Sequence, residues 1–210
     1  MLRHNKIDLA LWHLAQGAGG LPLLCLHGLG ERTDSFTTSA ASTWKGPVLG
    51  LDFAGHGASS TALGGGYSTD SLIWDVDAAL DYIGESALLG RGLGAYIALL
   101  VAGMRPTAVR GTVLLDGPGL SDATTAPRPD HLIRVPVTTR PDPIALAELL
   151  NEPRRPELAR TFARQAALFS GLDPAIAVVA ASRPPWLAAT IEVAGVAETD
   201  VLLALEMFQS

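Results

Sequence analysis

The chain has 210 residues, of which 48% are hydrophobic and 17% are charged, and its formal net charge is -6. This balance is typical of one globular domain and excludes an intrinsically disordered chain, and the lack of a basic stripe argues against a nucleic-acid partner. No apolar run reaches the roughly 18 residues that a membrane span requires and the first residues lack a signal-peptide pattern, so we expect a cytoplasmic protein without a membrane partner.

Short apolar runs alternate with longer helical patterns in the first half of the chain. The first run alternates like a half-buried edge strand, whereas the later runs are almost continuously apolar, as in strands covered on both faces. The predicted strands are 7–14, 21–27, 47–53, 85–90 and 110–117, and the predicted helices are 68–84 and 93–104. Strands that alternate with helices predict an α/β fold with a mostly parallel sheet.

The pattern changes after Asp116. Residues 118–142 contain five prolines and no clear period, and two helical segments follow at 143–152 and 155–171. We interpret residues 117–171 as a helical excursion that forms a cap or lid on a single domain of residues 1–210.

The end of the chain is predicted to return to the sheet through strands at 174–182 and 189–195, followed by an amphipathic helix at 198–208. Between the two strands only the segment SRPPWLA remains, which barely allows the helical crossover that a parallel pair requires. The sequence therefore predicts a C-terminal end that is reduced or differently connected.

Three motifs stand at the ends of predicted strands: CLHGLGER (25–32), LDFAGHGAS (51–59) and LLGRGLGAY (88–96). Together they resemble the α/β-hydrolase family over residues 7–116. The resemblance implies a three-layer α/β/α sandwich, in which the third motif is a sharp turn from a strand into a helix. In that family the motif reads G-x-S-x-G and presents a catalytic serine.

Gly92 occupies the position of the nucleophilic serine in the third motif, between Gly90 and Gly94. Glycine adopts the strained backbone of such a turn without a steric penalty. It has no hydroxyl group, however, so an acyl-enzyme route through this position is absent.

The other two members of the family's triad are also missing from their usual places. The loop after the last predicted strand, VAGVAETD (193–200), contains no histidine, and SRPPW (182–186) contains no carboxylate. Asp116 is the other position where the family places its acid, although we favour a role in bracing a turn. His131 is the one histidine that follows the turn.

The backbone groups of the family's oxyanion hole need no particular side chain. By resemblance, the donors are the N–H groups of Leu29, in the loop after His27 and Gly28, and of Leu93. Such groups at a helix N-terminus can hold a carboxylate, a phosphate or a water molecule. We therefore expect a small-molecule or anion ligand in a pocket formed by His27, Gly28, Leu29, Arg91, Gly92 and Leu93.

Three side chains near this pocket have two interpretations each. Arg91 either adds positive charge to the site or pairs with an acidic neighbour. His27 and His56 are interpreted as structural side chains that hydrogen-bond to nearby backbone, with catalysis as the alternative.

Asp75 and Asp77 are placed on the solvated face of helix 68–84.

No cofactor or metal is expected. The histidines and the buried Cys25 have no metal-ligand spacing, and neither the P-loop nor the dinucleotide-binding pattern is present.

Three functional hypotheses remain open. The first is a non-catalytic relative that binds a ligand, regulates or acts as a scaffold, with a homo-oligomer as one form. The second is a hydrolase or lyase that needs no serine and activates water with His56, Asp116 or His131. The third is an esterase-like enzyme whose nucleophile is Ser35, Ser59 or Ser121. A ligand in the space above Gly92 would favour a receptor, and a filled space would favour a scaffold.

Overall fold

The computed structural model describes residues 1–4, 7–33, 41–124 and 141–209. Within these ranges the strands are β1 (Leu2–His4), β2 (Ile7–Leu9), β3 (Leu11–Ala15), β4 (Leu23–Leu26), β5 (Val48–Leu51), β6 (Ser86–Arg91), β7 (Val109–Leu115), β8 (Ile176–Val178) and β9 (Val196–Glu198). The helices are α1 (Thr69–Ile83), α2 (Leu93–Met104), α3 (Pro143–Asn151), α4 (Pro156–Phe169), α5 (Pro185–Ile191) and α6 (Val201–Phe208). None of these helices is long and apolar enough to cross a membrane.

Seven of the described strands form one sheet in the order β3-β5-β4-β6-β7-β8-β9. The edge strand β3 is antiparallel to β5, and the remaining pairs are parallel. The predicted α/β fold with a mostly parallel sheet is therefore confirmed.

Side chains of the central strands alternate between two apolar cores, because successive residues of a strand point to opposite faces. Leu24 and Leu26 of β4 belong to the larger core, in which α1, α2, α4 and α5 pack on one face of the sheet. Leu23 and Cys25 belong to the smaller core, which α6 and a short 3-10 turn at Ala41–Thr43 cover on the other face. The result is the expected three-layer sandwich.

Helix α2 occupies the predicted range 93–104 and is buried over almost its whole length. A β-carbon at Gly103 would lie 2.6 Å from the Cα atom of Phe162 in α4. The absence of a side chain at this position therefore lets the two helices pack closely.

The N-terminal strand prediction was too long. Residues 7–14 do not form one edge strand, because the chain leaves one sheet and enters another at Ala10. The first part, β2, pairs with β1 in a separate two-stranded sheet, and the second part, β3, pairs with β5.

The prediction of a strand at 189–195 was wrong. The seven-residue helix α5 starts within the segment SRPPWLA, at Pro185. A proline is tolerated in the first turn of a helix, because the N–H that it lacks would have no partner there. This helix provides the crossover between the parallel strands β8 and β9. The C-terminal end is short, since these two strands have three residues each.

The described part of the excursion packs on the rest of the chain through α3 and α4. Glu148 of α3 accepts hydrogen bonds from the N–H groups of Gly66 and Tyr67 at 2.9 and 2.7 Å. Glu152 accepts from the N–H and hydroxyl groups of Thr69 at 2.6 and 2.7 Å. Helix α4 packs between α2 and α5 in the larger core. A lid function for residues 117–171 stays a prediction.

Candidate active site

A single residue, Gly92, separates the end of β6 from the start of α2. Its backbone angles are φ 58° and ψ -123°, in the left-handed half of the map that L side chains rarely adopt. A β-carbon at Gly94 would lie 2.6 Å from the carbonyl carbon of Leu26, and one at Gly90 would lie 2.7 Å from the Cα atom of Ala95. The three glycines therefore permit a turn in which strand and helix backbones nearly touch.

The backbone N–H groups of Leu29 and Leu93 converge on one oxygen atom. Both donate to the carbonyl oxygen of Pro118, each at a distance of 2.9 Å. Two donors at about 2.7–3.1 Å from one oxygen form the arrangement that stabilises an oxyanion in acyl-transfer enzymes. The structure thus brings Leu29 and Leu93 together, and their donors are occupied by the protein's own backbone.

Residues Gly117–Gly119, which we call the plug, fill the space directly above Gly92. A β-carbon at Gly92 would overlap the carbonyl oxygen of Pro118 and would lie 2.6 Å from the carbonyl carbon of Gly117. The position from which a serine side chain would project is therefore taken by backbone.

Glycine at both ends of the plug allows this close approach. A β-carbon at Gly117 would lie 2.9 Å from the backbone nitrogen of Gly92. Gly119 has φ 75°, and a β-carbon there would lie 2.7 Å from Cβ of Leu29. Sequence reasoning missed the plug, although the run Gly-Pro-Gly after a buried strand was a turn signal that could have drawn attention to it.

Arg91 pairs with an acidic neighbour, which agrees with one of its two interpretations. Its Nη1 atom lies 3.2 Å from Oε1 of Glu31. The second carboxylate oxygen of Glu31 accepts a hydrogen bond from the N–H of Gly28 at 3.0 Å. The positive charge beside the turn is thus offset within the loop that follows β4.

His27 uses both ring nitrogens in structural hydrogen bonds. Its Nε2 atom accepts from the N–H of Phe53 at 3.1 Å, so the proton resides on Nδ1, which donates to the carbonyl oxygen of Gly28 at 2.8 Å. Burial lowers the pKa of this side chain. His27 therefore joins the loops after β4 and β5 as a neutral ring.

His56 lies beside His27, with 5.2 Å between the ring centroids. Its Nδ1 atom is 3.1 Å from the carbonyl oxygen of Ala54, and its buried Nε2 atom has no hydrogen-bond partner among the described residues. Burial lowers the pKa of His56 to about 3. The ring is neutral and is a weak base at neutral pH.

Asp52 organises the loop of the second motif. Its carboxylate accepts hydrogen bonds from the N–H groups of Thr33 and Ala58 and from Nε1 of Trp12, at 2.7, 2.9 and 2.9 Å. Burial raises the pKa of Asp52, but these hydrogen bonds lower it more, so the pKa lies below its ordinary value.

The buried hydroxyl oxygen of Ser59 accepts a hydrogen bond from the N–H of Ala10 at 2.9 Å. Ser59 is therefore engaged by backbone.

Asp116 braces the chain after β8. Its two carboxylate oxygens accept hydrogen bonds from the N–H groups of Ala181 and Ser182 at 2.5 and 3.1 Å. Burial raises the pKa of Asp116, but these bonds lower it more, and the net shift is downward. The geometry agrees with the bracing interpretation, and the role of a catalytic acid stays a prediction.

The loop after β9, where the resemblance places a histidine, provides the N-cap of α6. Asp200 accepts hydrogen bonds from the N–H groups of Leu202 and Leu203, each at 3.0 Å, and so forms the N-cap of the helix. His131 and Ser35 lie outside the described residues. Ser121 lies in the loop that follows the plug.

The expectation that Asp75 is solvated was wrong. Its side chain is buried, and its Oδ2 atom accepts a hydrogen bond from the N–H of Ala54 at 2.9 Å. Burial raises the pKa of Asp75 to about 7. The cause is the loop after β5, which lies over this face of α1 and which the helical pattern alone does not reveal. Asp77 instead pairs with Arg105.

Residues 22–168 match the protein family described as alpha/beta hydrolase fold. A dihydrolipoyllysine-residue acetyltransferase component of an acetoin cleaving system from Pseudomonas putida is 35% identical over 115 residues, which are 53% of this chain and 31% of that protein. A serine hydrolase-like protein from Danio rerio is 29% identical over 103 residues, which are 46% of this chain and 31% of that protein. The chain thus spans about a third of the length of these curated relatives.

Two of the solved structures that resemble nearly the whole chain are a deformylase and a thioesterase domain. The N-formylmaleamic acid deformylase Nfo from Pseudomonas putida S16 has a TM-score of 0.70 at 19% identity, over 93% of this chain and 89% of that one. The thioesterase domain from the curacin biosynthetic pathway has a TM-score of 0.63 at 16% identity, over 98% and 94% of the two chains. At these identities the likeness shows the fold alone.

Proposed function

Because the chain belongs to the alpha/beta hydrolase fold family, we propose that it is a non-catalytic member with a regulatory or scaffolding role. The observation that carries this proposal is the contact of the Pro118 carbonyl oxygen with the N–H groups of both Leu29 and Leu93. These two donors are the ones that the family resemblance assigns to the substrate's developing oxyanion.

The chemistry of a serine hydrolase requires a nucleophile, a base in contact with it, and free donors for the oxyanion. Gly92 provides no hydroxyl, and the loop at 193–200 provides no histidine. The donors are already hydrogen-bonded to the plug. Three separate requirements are therefore unmet at the positions that the family uses for them, which an isolated serine-to-glycine change would not produce.

A filled space above Gly92 supports a scaffold more than a receptor for a small molecule. A carboxylate or phosphate would have to displace the plug and replace two backbone hydrogen bonds, each worth about 1 kcal/mol. Other surfaces remain for a partner or for self-association. One is a surface groove of about 440 Å³ lined by Thr43, Lys45, Leu202, Glu206 and Gln209.

The proposal is tested by incubating the full chain with a panel of short-chain aryl esters and, separately, with a fluorophosphonate probe. We expect no turnover above that of a heat-denatured sample and no labelled serine. An active serine hydrolase run in parallel controls for the reagents. Clear turnover, or labelling of Ser35, Ser59 or Ser121, would contradict the proposal.

The second candidate function is an enzyme that activates water without a serine. One observation favours it: the buried Nε2 atom of His56 has no hydrogen-bond partner among the described residues. The low pKa of His56, about 3, weakens it as a base at neutral pH. If an activity is found in a wider substrate screen, this hypothesis with His56 as the base requires that His56→Gln abolish it, and with His131 as the base that a substitution of His131 abolish it.

A further inference from the structure

The plug is followed at once by a residue that a buried tryptophan holds. The indole Nε1 atom of Trp186 donates a hydrogen bond to the carbonyl oxygen of Leu120 at 2.7 Å. Only Gly119 separates Leu120 from Pro118, whose carbonyl oxygen is bound by Leu29 and Leu93. The chain from Pro118 to Leu120 is therefore fixed at both ends.

Trp186 lies where α5 meets α2 and the residue that follows the plug. Its side chain is 1% exposed, and its ring packs edge-on against Tyr96, with 5.0 Å between the centroids. Tyr96 lies in the first turn of α2, four residues after Gly92. The indole N–H has no access to water here, so the loss of Leu120 as its acceptor would leave a buried donor unpaired, which is strongly unfavourable.

We propose that Trp186 is the latch that keeps the plug on the N–H groups of Leu29 and Leu93. When the indole releases the carbonyl oxygen of Leu120, Pro118 leaves these groups and they become accessible to solvent. The inference rests on the proposed function, because it concerns the closure of the same site. It adds the side chain that holds the site closed, which is Trp186 on α5.

Trp44 offers a matched control for a substitution at Trp186. Its Nε1 atom donates to the carbonyl oxygen of Leu21, also at 2.7 Å, and its side chain is 5% exposed. Trp44 belongs to the smaller core, on the other face of the sheet. Trp186→Phe and Trp44→Phe each remove one indole hydrogen bond of equal length, buried at Trp186 and partly buried at Trp44, but only the first contacts the chain beside the plug.

The test is amide hydrogen exchange measured by NMR on the wild type and on the two variants. In Trp186→Phe we expect the N–H groups of Leu29 and Leu93 to exchange roughly tenfold faster relative to the N–H of Leu88 in β6, the shift expected for one lost buried hydrogen bond. In Trp44→Phe this ratio stays at the wild-type value. Equal ratios in all three proteins, or the same increase in both variants, would overturn the latch.

A measurement on the wild type keeps the proposal testable if Trp186→Phe does not fold. A latch requires that the indole N–H of Trp186 and the backbone N–H groups of Leu29 and Leu93 exchange their hydrogens through one opening event. Their protection factors should then be equal. Unrelated protection would overturn the proposal. Neither measurement uses turnover, so hydrolysis by the wild type would contradict the proposed function alone, and unchanged exchange would contradict the latch alone.

Discussion

The carbonyl oxygen of Pro118 lies 2.9 Å from the amide nitrogen of Leu93, the first residue of α2. This contact joins the loop after β7 to the turn after β6. It leaves no room for a side chain at Gly92, where a catalytic serine would stand. The same contact therefore closes the site and requires glycine at residue 92.

Gly92→Ser is expected to lower the free energy of unfolding by about 3 kcal/mol or more, because the new β-carbon both strains the backbone and overlaps the plug. Gly171→Ser is the control, since Gly171 also has a positive φ, 72°, but no atom of the described residues within 4 Å of an added β-carbon. Gly171→Ser should lower the free energy of unfolding by about 1 kcal/mol. Urea unfolding of both variants measures the difference, and similar losses would contradict the overlap at Gly92.

The same Gly92→Ser variant should gain no esterase activity, because no histidine stands in the loop at 193–200 to accept the serine proton. Aryl ester hydrolysis is compared with that of the parent protein. Activity well above the parent would mean that a base is available near residue 92.

Asp75→Asn is expected to change how stability depends on pH. Because burial raises the pKa of Asp75 from 3.8 to about 7, the folded protein binds more protons than the unfolded chain between these values. The free energy of unfolding therefore falls as the pH rises through this window, by a few kcal/mol in total. The amide side chain of the variant does not titrate, so the variant should lack this fall and should exceed the wild type in stability at pH 8.

Unfolding at pH 3 provides the internal control for Asp75→Asn, since both side chains are then uncharged and the two proteins should differ little. A wild-type profile that is flat between pH 4 and pH 7 in comparison with the variant would exclude the raised pKa.

Asp52→Asn is expected to lower the free energy of unfolding by about 2–4 kcal/mol, because the amide cannot accept three N–H groups. Trp12→Phe removes one of these donors and should cost about 1 kcal/mol. Since the pKa of Asp52 lies below its ordinary value, its stabilising effect is present above pH 4 and is lost as the pH falls below that value. In an acid titration, Asp52→Asn should not show this loss of stability. Equal decreases in the free energy of unfolding for Asp52→Asn and Trp12→Phe would contradict the role of Asp52.

The pair of Arg91 and Glu31 is expected to contribute about 0.5 kcal/mol, since both side chains are partly exposed and solvent screens them. A double-mutant cycle with Arg91→Met and Glu31→Gln measures the coupling. It should decrease in 1 M salt. A coupling that is unaffected by salt would mean that the contact is not mainly electrostatic.

Local patterns were sufficient for much of the fold. Helix α2 follows the predicted range 93–104, because a long run without polar positions fits only a buried helix. Ser68 forms the capping box that starts α1, and the glycines at 90, 92 and 94 form the expected sharp turn. Short apolar runs were less informative: 189–195 was assigned to a strand, although α5 and a turn occupy it, because such runs fit either state.

The sequence by itself determined the family resemblance, the order of most strands and helices, and the absence of a serine at residue 92 and of a histidine at 193–200. The tertiary structure decided what occupies the space above Gly92 and which groups surround Asp75 and Trp186. These contacts join residues that are far apart in the chain, such as Leu29 with Pro118 and Leu120 with Trp186. Residue spacing specifies local backbone geometry, whereas the acceptor that a given N–H group meets depends on how separate loops pack over the sheet.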